Sequence, residues 1–173
     1  MVAKEGFKTY GIDLSQEAIR LGKIMLGHWG VEADLQTGDM KSLPYEDNLF
    51  DVVLDVFSTY CLPDADFNRC LGEIERVLKP GGSFFCYTPG KNSKAFESHA
   101  PASKIDESTL EGIHRKSSPF YGNFYPFRFV HPEELKVEVE NIGMEVSYLE
   151  INQRSYYNRQ EVFEHVVLEA KKQ

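Results

Sequence analysis

The stretch FDVVLDVF, residues 50–57, decides the fold class because it is apolar at nearly every position apart from its aspartates. A strand of this composition is typical of a parallel sheet that is covered on both faces. A helix with an apolar stripe follows between Pro63 and Leu78, and the residues KPGG, 79–82, end it. The apolar run 83–87 then predicts the next strand. Strand, helix and strand with short connections indicate a right-handed βαβ unit.

The same order of elements is predicted upstream of this unit. Residues 7–12 form a short β-prone run, and Ser15 is a suitable cap for the helix that follows it. The apolar positions of that helix recur at helical spacing until Gly30. A second strand is predicted over residues 33–37. The first half of the chain therefore alternates strands and helices, as an α/β fold with a doubly wound sheet does.

Residues 88–130 interrupt this alternation. Connections of this length without regular structure are uncommon in compact domains and usually functional. A helix is predicted over residues 132–143, and two β-rich runs follow at residues 144–151 and 162–170, which we expect to pair as antiparallel strands. We therefore predict a single α/β domain over residues 1–173, with an insert at about 88–130.

Composition excludes several classes of function. The net charge of −8 argues against binding to a nucleic-acid backbone, and no apolar run approaches the roughly 20 residues that a membrane-spanning helix needs. The spacing of Cys61, Cys70 and Cys86 fits neither a zinc cluster nor a disulfide framework, so free thiols in a reducing compartment are expected. No spacing of histidines, cysteines and carboxylates predicts a metal site. With no apparent export leader, the protein is expected to be cytoplasmic.

Polar residues follow three of the predicted strands, where a doubly wound sheet binds its ligand. They are Asp13, the pair Asp39 and Met40, and Asp55. A carboxylate at such a position has two oxygens and can accept hydrogen bonds from both hydroxyls of a ribose. The same residues have plainer interpretations: Asp13 precedes a helix cap, and Gly38-Asp39-Met40 is also a common turn sequence.

The order of these motifs resembles the class I S-adenosylmethionine-dependent methyltransferases. The blocks that carry the resemblance are GIDLS at 11–15, GDM at 38–40, FDVVLD at 50–55, LPD at 62–64 and RVLKPGG at 76–82. The resemblance implies a Rossmann-like, mostly parallel sheet with an antiparallel C-terminal strand pair, and S-adenosylmethionine as the cofactor. It also implies that Asp13 holds the ribose, that Leu14 packs on adenine, that Asp39 and Met40 contact the adenine edge, and that Asp55 lies near the methionine part.

This sequence departs from the family pattern at its start. The family's first strand and its glycine-rich loop have no counterpart before residue 7, so we expect an N-terminally truncated chain with the first strand missing. In the family that strand lies between the strands predicted at 7–12 and 50–57. Its loss would leave two strand edges with unpaired backbone groups, and self-association through these edges is expected. It would also weaken cofactor binding.

The resemblance also indicates where an acceptor would bind. Tyr60 lies in the loop after the strand at 50–57, and Phe120, Tyr121, Tyr125 and Arg128 lie in the insert. We expect these residues to form a lid or pocket, although the aromatic residues could equally cap the core. Methyl transfer requires chiefly that the nucleophile be held near the methyl group, so no catalytic residue is assigned.

The expected function is methyl transfer to a small-molecule acceptor, with the activity of this form in doubt. The alternative is a noncatalytic methyltransferase-like module that acts through protein contacts. A nicotinamide-dependent oxidoreductase is a third hypothesis, since Asp13 also suits that cofactor's ribose, but no GxGxxG sequence occurs in the chain.

Overall fold

The computed structural model describes residues 2–173 and divides the chain into two compact units, of which unit 1 ends at Pro44 and unit 2 runs from Tyr45 to Gln173. The helices are α1 (Gln16–Trp29), α2 (Asp64–Val77), α3 (Lys94–Glu97) and α4 (Pro132–Asn141). The strands are β1 (Tyr10–Asp13), β2 (Asp34–Thr37), β3 (Phe50–Val56), β4 (Leu78–Gly90), β5 (Thr109–Leu110), β6 (Phe127–Arg128), β7 (Met144–Tyr156) and β8 (Glu161–Lys172). Short 3-10 turns lie at Val2–Glu5 and Thr59–Cys61.

Unit 1 consists of β1, α1 and β2, with the two strands paired in parallel. Local sequence signals set the ends of α1, as predicted. The Ser15 hydroxyl oxygen accepts a hydrogen bond from the Ala18 amide at 3.2 Å, and Gly30 ends the helix with a φ of 64°. Few residues other than glycine adopt that left-handed conformation readily, so Gly30 suits the helix terminus.

Unit 2 contains a four-stranded sheet in the order β3-β4-β8-β7. Strands β3 and β4 are parallel, and β8 is antiparallel to both β4 and β7. The predicted α/β class and the antiparallel C-terminal pair are thus confirmed. Within the described residues β1 pairs only with β2, and β3 pairs only with β4.

The core of unit 2 lies on one face of this sheet. Alternate residues of paired strands share a face, and the fully buried Phe84 and Cys86 of β4 are paired with Ala170 and Leu168 of β8, which are also fully buried. Helices α2 and α4 supply the rest of this core. Their buried side chains are Phe67, Cys70, Leu71, Ile74 and Val77 from α2, and Pro132, Leu135 and Val139 from α4.

Strand β3 corrects one expectation from the sequence. It was expected to be covered on both faces, but Val52, Leu54 and Val56 are each 50–56% exposed. Only the opposite face, which carries Asp55, turns toward the buried residues of β4. In FDVVLDVF the apolar Phe50, Val52, Leu54 and Val56 share one face and both aspartates lie on the other, so composition gives no sign that the fully apolar face is the open one.

The KPGG sequence at residues 79–82 is a bulge rather than a simple turn after α2. Strand β4 already begins at Leu78, and its pairing with β3 shifts between Phe50 and Val52. Gly81 has a φ of 78°, and a Cβ atom on Gly82 would lie 2.8 Å from the Lys79 carbonyl oxygen. The glycines therefore permit a tight bulge within the strand.

The insert is folded, in contrast to the predicted structureless connection. It contains α3 and the two-stranded antiparallel sheet of β5 and β6. Leu110, Ile113 and Phe129 are at most 1% exposed and pack with the buried Phe163 of β8. The insert thus contributes to a second hydrophobic cluster of unit 2.

Among residues 2–173, no helix has the length and apolar content needed to cross a membrane. The same residues contain no group of three or more histidine, cysteine or carboxylate side chains that could hold a metal ion. Within residues 2–173, Cys61, Cys70 and Cys86 form no disulfide, and the latter two are buried.

Candidate functional site

Asp13 and Leu14 lie at the carboxyl end of β1 in unit 1, as predicted. One carboxylate oxygen of Asp13 accepts a hydrogen bond from the Ser15 amide at 2.8 Å. The other oxygen, Oδ2, accepts no hydrogen bond from the residues that the structure describes. Leu14 is 66% exposed beside it. An exposed apolar side chain next to an available carboxylate oxygen suits a ligand that has both an apolar ring and hydroxyl groups.

Asp39 and Met40 follow β2 at the same edge of unit 1. The Gly38 amide donates to the Asp13 carbonyl at 3.1 Å, which ties the ends of the two strands together. The Asp39 carboxylate accepts from the Lys41 amide at 2.9 Å and lies 3.8 Å from the Lys41 ammonium. Unit 1 by itself therefore brings together four of the predicted cofactor residues.

Asp55, in unit 2, has a different environment. It is 4% exposed, and one carboxylate oxygen accepts from the amides of Ser58 and Thr59 at 2.9 and 3.1 Å. The other accepts from the Thr59 hydroxyl and from the Cys86 thiol, the latter at 3.5 Å. Burial, with a contribution from Asp55, raises the pKa of Cys86 well above its usual value, so the thiol stays protonated. Asp55 thus fixes the loop that carries Tyr60.

Partly exposed aromatic rings gather where this loop meets the sheet of unit 2. Phe57 is the centre of the group, with ring centroids 5.6 Å from Tyr60, 5.4 Å from Tyr87, 5.4 Å from Phe120 and 5.6 Å from His165. We call these five residues the ring cluster. Two of its contacts are stacked: Phe57 with Phe120 at an interplanar angle of 16°, and Tyr87 with His165 at 9°.

The predicted acceptor residues are divided between this cluster and other places. Tyr60 and Phe120 belong to the cluster, and the Tyr125 hydroxyl is 2.8 Å from that of Tyr60. Burial raises the pKa of Tyr60, with Tyr125 adding to the effect, so Tyr60 stays a hydrogen-bond donor. Tyr121 is 49% exposed and contacts Phe124 edge to face rather than the cluster.

Arg128 is 2% exposed and is bound by acidic side chains. It donates to Asp64 at 2.9 Å and to both carboxylate oxygens of Glu138 at 3.0 and 3.1 Å, and its guanidinium lies 3.9 Å from the ring centroid of Phe67. Burial raises the pKa of Glu138, and Arg128 opposes that shift. The contacts of Arg128 link the insert to α2 and α4.

Tyr87 and His165 were not predicted as site residues. His165 was expected to be a core or partly buried residue, and Tyr87 was placed only in a strand. Tyr87 is two residues from Phe85 on β4, and His165 is two residues from Phe163 on β8. Because residues two apart in a strand share a face, the sequence could have shown which side chains lie together within each strand. The pairing of β4 with β8, which brings them together, cannot be read from either strand alone.

Comparisons with known proteins agree with this geometry. Residues 1–86 match a family model described as "Methyltransferase domain". A phthiotriol/phenolphthiotriol dimycocerosates methyltransferase of Mycobacterium tuberculosis is 34% identical over 163 residues, covering 84% of this chain and 57% of that protein. A demethylmenaquinone methyltransferase of Bacillus mycoides is 37% identical over 86 residues, covering 49% of this chain and 35% of the relative. The chain therefore spans little more than half the length of the first relative and about a third of the second.

The fold also matches solved structures. A SAM-dependent methyltransferase from Methanosarcina mazei superposes with a TM-score of 0.78 at 22% identity, covering 99% of this chain and 84% of that one. A second structure, a protein from Pyrococcus horikoshii, gives a TM-score of 0.69 at 19% identity, covering 98% of this chain and 74% of that one. At these identities the likeness establishes the fold alone, and the family match of residues 1–86 supplies the sequence evidence. Sequence and fold together make this chain a class I S-adenosylmethionine methyltransferase-like domain.

Proposed function

We propose that the protein takes part in methyl transfer from S-adenosylmethionine to a small-molecule acceptor. The observation that carries the proposal is the edge of unit 1, where the available Asp13 oxygen, the exposed Leu14 and Asp39 follow two paired parallel strands. A carboxylate oxygen suits the ribose hydroxyls, and an exposed leucine suits the adenine face. Asp39 and Met40 would contact the adenine edge. Only the adenosine part of the cofactor is accounted for by these residues.

Bound S-adenosylmethionine would supply an electrophilic methyl group, and the electron pair of the broken C–S bond would remain on sulfur. The protein has to hold the nucleophile in line with that bond, and a hydroxyl or amine nucleophile also has to lose a proton. Asp55 is engaged by Ser58, Thr59 and Cys86, so its role would be to shape the loop that carries Tyr60.

Three residues of unit 2 are proposed to contact the acceptor: Tyr60, Phe120 and Tyr125. The small-molecule class is supported by the names of the relatives, which act on phthiotriol and phenolphthiotriol dimycocerosates and on demethylmenaquinone. The free thiols and the net charge of −8 favour a reducing compartment such as the cytoplasm and disfavour nucleic acid as a partner.

Calorimetric titration of S-adenosylhomocysteine into the chain tests the cofactor assignment. Asp13→Asn should weaken binding about tenfold or more, because hydrogen bonds to a charged group contribute roughly 1.5–3 kcal/mol. Asp34→Asn is the matched control, since Asp34 lies at the other end of the same strand pair. The proposal is wrong if neither the parent chain nor a longer form binds the ligand, or if the two variants lose the same affinity.

Strand β3 favours a second candidate function, in which the chain self-associates as a noncatalytic module. Its apolar residues Val52, Leu54 and Val56 are about half exposed, and an open strand edge can pair with another chain. A sizing column with light scattering should then detect dimers that Leu54→Lys removes. A parent chain that stays monomeric at every concentration tested excludes this candidate.

A further inference from the structure

The ring cluster differs from an ordinary hydrophobic cap in its exposure. Its five members are only partly buried, whereas Phe127 and Phe163 directly beneath them are fully buried. Phe120 contacts both of these, at centroid distances of 5.4 and 4.7 Å. The buried pair already closes the core of unit 2, so the rings above it form an additional aromatic layer at the surface.

The backbone at the centre of this layer is strained. Phe57 has a φ of 54°, and a bulky side chain in that left-handed region is uncommon and costly. The conformation is held in place by the Phe57 amide, which donates to the Tyr87 carbonyl at 2.9 Å. Strain of this kind concentrates at ligand-binding sites, and it allows the Phe57 ring to contact all four other members of the cluster.

The polar groups around the rings are uncharged hydroxyl groups and a neutral imidazole. The hydroxyls of Tyr60 and Tyr125 bond to each other, and within residues 2–173 those of Tyr87 and Tyr156 have no hydrogen-bond partner. His165 is uncharged at neutral pH because burial lowers its pKa. The Arg154 guanidinium lies 5.4 Å from the ring centroid of Tyr156, and Arg128 is occupied by carboxylates. The cluster thus offers ring surfaces and neutral polar groups.

We propose that the ring cluster binds a planar, uncharged ring compound that carries a hydroxyl group, and that such compounds are the acceptor class. The assignment of these compounds as acceptors rests on the proposed function, whereas the binding itself does not. Flat rings stack on Phe57, Tyr87 or Phe120 with a geometry that a saturated ring cannot reproduce. The unpaired phenol hydroxyls would bond to the hydroxyl group of the ligand.

Two bicyclic alcohols test the proposal, 2-naphthol as the planar probe and decahydro-2-naphthol as its saturated counterpart. Both have the same carbon skeleton and one hydroxyl group, and they differ in planarity and in the acidity of that hydroxyl, which is phenolic only in 2-naphthol. Calorimetric titration of the full chain should give about tenfold tighter binding of 2-naphthol, as expected for one or two added aromatic contacts. Equal affinities, or no binding of either alcohol, would overturn the proposal.

Variants locate the binding within the molecule. Tyr87→Leu and Phe120→Leu should each abolish the preference for 2-naphthol, and Tyr148→Leu, on an exposed tyrosine of β7, should keep it. Circular dichroism checks the fold of each variant. Two cluster variants are used because, if one misfolds, the other still tests the proposal. A preference that survives in a folded cluster variant also contradicts the proposal.

A separate titration with S-adenosylhomocysteine distinguishes the two hypotheses. In the parent chain, intact S-adenosylhomocysteine binding without a preference for 2-naphthol refutes the acceptor class alone. Absence of S-adenosylhomocysteine binding with an intact preference refutes the proposed function and leaves the ring-binding site standing.

Discussion

Unit 1 and unit 2 differ sharply in how they bury their side chains. Helices α1 and α2 both have 14 residues, yet α1 has no buried residue and α2 has five. No described residue of unit 1 is buried, whereas unit 2 contains fully buried aromatic residues. The residues proposed to bind the cofactor thus lie mainly in the unit with the weaker core. Local stability follows buried apolar contacts, so the two units should respond differently to substitution and to ligand.

The largest expected contrast concerns two arginines that each donate to both carboxylate oxygens of a glutamate. Arg128 is buried and pairs with Glu138, whereas the Arg20 side chain is 57% exposed and pairs with Glu17. Arg128→Ala removes a buried guanidinium and leaves the partly buried Asp64 and Glu138 without their partner, so it should lower the free energy of unfolding by roughly 3 kcal/mol, the low end for a broken buried ion pair. Arg20→Ala should leave it nearly unchanged, because a solvent-exposed ion pair contributes little to stability. Urea unfolding measures both, and equal effects would contradict the contrast.

A second pair of variants compares the two helices directly. Leu71 in α2 is fully buried, and Leu21 in α1 is 48% exposed. Leu71→Ala should cost about 2–5 kcal/mol because it leaves a cavity in the core. Leu21→Ala should cost under about 1 kcal/mol, since much of its surface is already in water. A cost for Leu21→Ala as large as that for Leu71→Ala would mean that unit 1 has a core that the structure does not show.

The smallest expected effect is a dependence of stability on pH within unit 2. Burial lowers the pKa of His165 in the folded chain, with Arg154 adding to the shift, while the Asn152 carbonyl and Glu164 oppose it. Tyr87 stacks on the ring. The unfolded chain therefore binds a proton more readily, and this contribution to stability is complete above about pH 6.5 and lost as the pH falls through the lowered folded value.

His165→Asn should remove that part of the pH dependence. Urea midpoints measured at about pH 7.5 and about pH 5 should fall less in the variant than in the parent chain. An identical fall in both proteins would show that His165 is not the group responsible.

Sequence patterns predicted the elements whose signals are local. Ser15 and Gly30 mark the ends of α1, and the apolar stripe of α2 matches its buried residues. Asp13 and Asp39 could be grouped because parallel strands end at one edge. These inferences need only neighbouring residues and the rules of α/β topology.

Contacts distant in sequence could not be predicted in the same way. Arg128 looked like a pocket residue because its carboxylate partner Asp64 lies 64 residues away in the chain. The ring cluster draws Phe57, Tyr87 and His165 from three different strands or their ends, and only the register of the folded sheet brings them together. Burial of the insert likewise depends on Phe163 in the last strand.

Hydrogen–deuterium exchange with and without S-adenosylhomocysteine tests the central claim most directly. Without ligand, amides of α1 should exchange faster than those of α2, because α1 has no buried side chains. Under conditions where the ligand binds, exchange should slow in the peptides that contain Asp13 and Leu14 and those that contain Asp39 and Met40. Bound ligand that slows exchange only in unit 2 would contradict the assignment of the adenosine site to unit 1.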